Sequence, residues 1–170
     1  AEWAYRFSPL TEVDTPPKES NCNLLLDARF SGINLDISGC ERLFGSEESI
    51  AKRIRSALEK RGVESRVAIA PTLGAAWALS RYSREEIHIL GKDEQEISTD
   101  SLKAALSPLP TSALRISQRT EEDLTEINIH TLEELFQLST PALRERFDLE
   151  LITRIDQALG RQDESISSLT

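Results

Sequence analysis

The sequence contains no Met, only two Cys and two His, and aromatic residues make up just 5% of it. Cys22 and Cys40 have neither CxxC spacing nor a nearby His, which excludes a zinc site by pattern and reads as two reduced thiols in a cytoplasmic protein. His88 and His130 stand alone and are read as surface or helix residues rather than ligands. No apolar run approaches the ~20 residues of a membrane helix, and no signal-peptide pattern opens the chain. The absence of Met even at position 1 leads us to expect a piece of a longer protein, with parts missing at both ends. Positive charge is also in short supply: 20 Lys and Arg stand against 29 Asp and Glu, a net charge of −9. Nucleic-acid affinity comes largely from cations on phosphate, so this balance argues against strong independent binding and leaves room only for a local basic face.

What is present suffices for one ordinary domain or two small ones: 170 residues, 39% apolar and 29% charged. Residues 1–97 mix strand and helix signals and 98–170 read as helical throughout. After a Pro-rich loop at 14–21, Leu24–Phe30 and the alternating Ile33–Ser38 predict a β-hairpin about a Ser31-Gly32 turn. Ser46 caps a helix ended by Gly62, with Ile50, Ile54, Ala57 and Leu58 as its apolar stripe. Lys52, Arg53, Arg55, Lys60 and Arg61 lie off that stripe and are read as a solvated face, with a nucleic-acid contact as the alternative. Strand 66–70, a helix opened by Pro71-Thr72 and running to Arg81, and strand 86–90 complete an α+β layer with helices on one face. Beyond it come a helix carrying Leu102, Ala105 and Leu106, a Pro108-Leu109-Pro110 break, and helices near 119–127, 131–138, 141–146 and 149–159, the last capped by Asp148 and stopped by Gly160. The polar tail 161–170 reads as a linker.

Ser8-Pro9-Leu10-Thr11-Glu12-Val13 followed by Leu35-Asp36-Ile37-Ser38-Gly39 resembles the palm of Y-family translesion DNA polymerases, whose pattern runs roughly S-P-x-x-E-x-x-S-I-D-E-A-F-L-D-x-(S/T)-G. Leu35-Asp36-Ile37-Ser38-Gly39-Cys40-Glu41-Arg42-Leu43-Phe44-Gly45 and Ala68–Leu79 are closer to the ImuB-type, polymerase-like branch of that family. Glu121–Leu135 and Ala158-Leu159-Gly160-Arg161 resemble its thumb. The resemblance implies a partial palm over 1–97, a hairpin plus a βαβ-like layer, and over 98–170 a small all-helical thumb with a degenerate helix-hairpin-helix.

The same resemblance locates three departures. The family's catalytic Asp-Glu pair falls on Ser31 and Gly32, which cannot ligate Mg²⁺ as carboxylates. Asp27 and Asp36 would face each other across the hairpin, as a metal pair or as two solvated side chains. The lysines that meet triphosphate and DNA fall on Leu73 and Trp77; Trp77 is read as core packing, with a partner-binding aromatic as the alternative. The G-I-G turn that offers backbone N–H groups to phosphate becomes Arg115-Ile116-Ser117, where Arg115 and Arg119 could substitute by charge. Residues 98–170 nonetheless carry 7 basic against 13 acidic side chains. The expected function is a non-catalytic adaptor of mutagenic, damage-tolerant DNA synthesis in bacteria, without cofactor or membrane. Its implied partners are an error-prone replicative-type polymerase, a RecA-like accessory protein and the sliding clamp; DNA would be bound weakly or only with a missing C-terminal domain. The alternatives are an active polymerase with relocated ligands and bound Mg²⁺, or a structure-recognising DNA-binding module.

Overall fold

A computed structural model of the chain describes residues 2–8, 10–14, 32–91 and 97–166. Its fold is mixed α/β. Among the described residues it has four short strands in two two-stranded sheets, and eight α-helices. After a 3-10 turn, Glu2–Arg6, strand β1 (Thr11–Val13) pairs antiparallel with β2 (Ile33–Leu35), with Thr11 opposite Leu35 and Val13 opposite Ile33. The predicted partner strand Leu24–Phe30 and the turn residue Ser31 lie outside the described residues, so β1 is the neighbour that can be described for β2. β2 ends earlier than the alternation predicts. At Asp36 the side chain turns back to accept a hydrogen bond from the Ser38 N–H at 2.9 Å, and such a local bond competes with ladder pairing.

Helix α1 (Glu41–Phe44) leads into α2 (Glu47–Glu59), whose N-cap Ser46 accepts from the Ser49 N–H at 3.2 Å as its sequence predicts. β3 (Val67–Ile69), α3 (Leu73–Tyr82) and β4 (Ile87–Ile89) form a βαβ unit with parallel strands, Val67 beside Ile87. Both α2 and α3 pack against these strands. Phe7, Cys40, Ile50 and Ile54 make a small core there, sealed by half-buried Trp3, Leu35, Phe44 and Val67.

The second half is helical as predicted: α4 (Thr99–Leu106), a 3-10 turn at Thr111–Leu114, α5 (Gln118–Glu126), α6 (Leu132–Phe136), α7 (Thr140–Arg146) and α8 (Leu149–Ala158). Asp148 holds the N-cap position of α8, but its side chain makes no capping bond. The larger core joins Leu102, Leu106, Leu124, Leu132, Leu135, Leu151 and Ile155 to Ala75, Ala78 and Leu79 of α3. One helix from the first half is therefore embedded in the core of the second. Gly74 permits this approach, since a Cβ there would lie 3.0 Å from the Ala158 Cα. Thr72, the N-cap of α3, accepts from the Ala75 N–H at 3.1 Å and donates to the Ala158 carbonyl at 3.0 Å, pinning α3 to the end of α8. Among the described residues no helix is long and apolar enough to cross a membrane.

Candidate functional site

Positions 73, 77 and 81 lie one turn apart on a single face of α3, where side chains four residues apart meet. Trp77 is only 3% exposed. Its indole Nε1–H donates to Oδ2 of Asp14, just after β1, at 2.7 Å. The guanidinium of Arg81 pairs with the same oxygen and lies over the Trp77 ring, its carbon 4.1 Å from the centroid. Gly32, entering β2, leaves the room this needs, because a Cβ there would come within 2.5 Å of an Arg81 Nη.

Arg115 also approaches the ring, its guanidinium carbon 5.8 Å from the Trp77 centroid, and donates to Glu164 Oε2 at 2.6 Å. Arg154 reaches the second oxygen of Glu164 at 3.0 Å. Arg115 closes the 3-10 turn in the left-handed conformation, φ +58°, a region that an L side chain occupies at some cost. The centre thus holds three guanidinium groups and two carboxylates around one buried indole. Burial is the chief cause holding Arg81 below the usual arginine pKa; Asp14 and Tyr82 oppose it, while Arg115 and Arg66 add to it. Arginine keeps its charge under such a perturbation, so the network remains ionic.

A nucleotidyl-transfer centre needs carboxylates free to hold hard divalent ions. Both carboxylates here already face guanidinium groups. Among the described residues no group of three or more His, Cys, Asp or Glu side chains is placed to hold a metal ion, and these residues do not fit that chemistry.

The chain matches no family model. It is 33% identical over 166 residues to the ImuB proteins of two Caulobacter vibrioides strains, NA1000/CB15N and ATCC 19089/CB 15, a match covering 98% of this chain and 31% of each relative. The chain is an ImuB-type, Y-family-like segment. It is also 28% identical over 118 residues, 68% of its length, to DNA polymerase IV of Pelotomaculum thermopropionicum, where the match covers 28% of the relative. The chain spans about a third of the length of the ImuB relatives it matches.

In this ImuB-type chain the structure brings Gly32 and Trp77 together, with Arg81 between them. Ser31 and Asp27 lie outside the described residues. Leu73 is half-buried and lines a cavity of about 420 Å³ with Thr72, Ile97, Leu102 and Glu164. Asp36 is half-buried, and hydrogen bonds from the Ser38 side chain first, then its backbone, hold its carboxyl below the ordinary range. Arg115 belongs to the cluster, with its charge engaged by Glu164; Arg119 is exposed on α5 and takes no part in it. Sequence reasoning missed Asp14, Arg81, Arg154 and Glu164. For Arg81 a signal existed, its i+4 spacing from Trp77. For Glu164 the linker reading was an error: the Arg161 and Gln162 N–H groups fold back onto the Asp156 carbonyl at 2.8 and 3.2 Å, and Glu164 is 14% exposed.

Proposed function

We propose that this chain is the palm-like (1–97) and thumb-like (98–170) part of a non-catalytic, Y-family-like adaptor in bacterial damage-tolerant, mutagenic DNA synthesis. It would act in the cytoplasm through protein partners: an error-prone replicative-type polymerase, a RecA-like accessory protein and the sliding clamp. The observation that carries this reading is the Trp77 centre. Gly32 stands where the resemblance puts a catalytic carboxylate and Trp77 where it puts a cation. Between them Arg81 and Asp14 neutralise each other instead of meeting metal and triphosphate. Electrostatic stabilisation of developing charge is most of what phosphoryl-transfer enzymes supply, and this centre has its charges already satisfied.

The thumb reading draws support from Arg115. It takes the left-handed conformation that glycine favours, at the position of the first glycine in the helix-hairpin-helix string, and its charge is turned inward to Glu164. Helix α3, packed into the larger core, ties the two parts into one scaffold.

Primer extension with the full-length protein and Mg²⁺ or Mn²⁺ tests this. No extension above a blank is the expected result. Template-dependent extension that depends on Asp36 or Asp27 would overturn the reading in favour of relocated ligands.

A further inference from the structure

Away from the Trp77 centre, an open groove of about 750 Å³ runs along α2. Among the described residues five cations line it, Arg6, Lys52, Arg53, Lys60 and Arg61, with one carboxylate, Glu48, which pairs with Lys52 at 2.9 Å. Such a concentration of positive charge is exceptional in a chain of net charge −9. Arg6 and Lys60 have no carboxylate partner among the described residues. Lys52-Arg53 and Lys60-Arg61 are two pairs eight residues apart, about 12 Å along a helix.

The lining between the cations is mixed: Phe7, Phe44 and Ala57 are apolar, and Ser46, Ser49 and Ser56 add hydroxyls. Arg53 and Arg61 lie over the Phe44 and Trp3 rings, each 5.7 Å from the centroid. Arg61 gives one N–H to the Ala57 carbonyl at 2.7 Å; the other N–H edges of guanidinium groups held against rings stay open to a carboxylate. Leu43, beside Phe44 on α1, is 80% exposed.

We propose that this groove is a docking site for an acidic protein segment carrying one or two apolar anchor residues. Charge complementarity requires an anion, and the apolar part of the lining, Phe7, Phe44 and Ala57, favours a protein segment over a phosphate backbone. Phe7 is 7% exposed and packs edge-on with Trp3 at 5.8 Å and tilted against Phe44 at 5.9 Å, so these rings are fixed in a core rather than splayed as platforms for bases. A long polyanion would also be repelled by a chain of net charge −9, whereas a short acidic segment ends where the cations end. The groove's chemistry is independent of whether the palm-like half catalyses anything, so a polymerase assay and a docking assay fail separately.

Fluorescence anisotropy of the full chain tests the proposal, with a short labelled peptide built of Glu, Asp, Leu and Phe. Saturable binding is expected, weakened about tenfold or more by Arg53→Glu/Lys60→Glu and several-fold on raising salt to ~0.3 M. It should be unchanged by Arg144→Glu/Arg146→Glu on α7, which adds the same charge elsewhere. If the first double variant melts at lower temperature than the parent, Arg53→Gln/Lys60→Gln replaces it, with a smaller loss expected. An uncharged Gln/Asn version of the peptide, or an acidic one lacking Leu and Phe, should bind at least several-fold more weakly; equal binding by either overturns the proposal. A single-stranded oligonucleotide of equal charge that binds as tightly makes the groove a nucleic-acid contact and overturns it too. So does peptide binding that is absent or indifferent to the groove variants.

Discussion

Replacing Asp14 by Asn keeps the shape of the side chain and a carbonyl acceptor for the Trp77 indole, but removes the charge that faces Arg81. The Arg81 and Asp14 side chains are 14% and 10% exposed, so the guanidinium would lose the Asp14 charge in largely desolvated surroundings. Breaking a buried pair from one side typically costs about 3–5 kcal/mol. The remaining exposure, the Ser80 hydroxyl accepting from Arg81 at 3.0 Å and the indole face beneath it soften this loss. We therefore expect about 2–3 kcal/mol for Asp14→Asn, which for a chain of this size is a fall in Tm of about 4–12 °C. Arg81→Met, which leaves the carboxylate without its cation, should cost a similar amount. The double variant should lose less than the sum, because neither charge is then stranded, with a coupling energy of about 1–3 kcal/mol. Urea unfolding followed by circular dichroism, read as a double-mutant cycle, measures this. Additivity within ~0.5 kcal/mol, or an Asp14→Asn protein that melts with the parent, would refute the argument that the pair is a buried, mutually dependent unit.

Gly74→Val should destabilise by about 1–3 kcal/mol, as overpacking does, because its Cβ would meet Ala158 at 3.0 Å; a thermal melt reads it. Glu164→Gln should lower Tm by less than Asp14→Asn, since Arg154 keeps a hydrogen bond to Gln157 at 3.2 Å, and NMR of the Trp77 indole N–H should register the loosening of Arg115. The Asp36 carboxyl titrates below its ordinary value of 3.8, so its contribution to stability is present above that pH and is lost as pH falls through the folded value; Ser38→Ala should bring a carboxyl titration followed by NMR back toward the ordinary value. Ser31→Asp/Gly32→Glu should not restore primer extension, because a side chain at 32 collides with Arg81 and positions 73 and 77 remain apolar; robust extension by that variant would show that the carboxylate pair alone was lacking.

The features legible in the sequence are those decided within a few residues. Ser46 caps the helix it was expected to cap, through a bond to the N–H three positions on. The parallel pairing of β3 and β4 follows from a strand-helix-strand order in which each strand is a short apolar run. β1 was not legible: three residues, Thr-Glu-Val, carry no period, and what makes them a strand is Ile33–Leu35, some 20 residues away. The Trp77 centre was half legible. The substitutions at Gly32 and Trp77 are visible against the family pattern, but Arg81 reaches Asp14 across 67 positions and Arg115 reaches Glu164 across 49. No local rule pairs charges at that separation; only the packing of α3 against its neighbours brings them together.

The embedding of α3 in the larger core has a consequence for synthesis. Ala75, Ala78 and Leu79 are buried against residues as late as Ala158 and Leu159. A ribosome adding about 5–20 residues per second needs roughly 4–15 s to pass from the end of α3 to the end of α8. For that interval the emerging chain carries β3, α3 and β4 with the apolar side of the helix open to the cytosol and to chaperones. The first half therefore cannot complete its burial while it is being made, and its maturation waits on α8 leaving the tunnel.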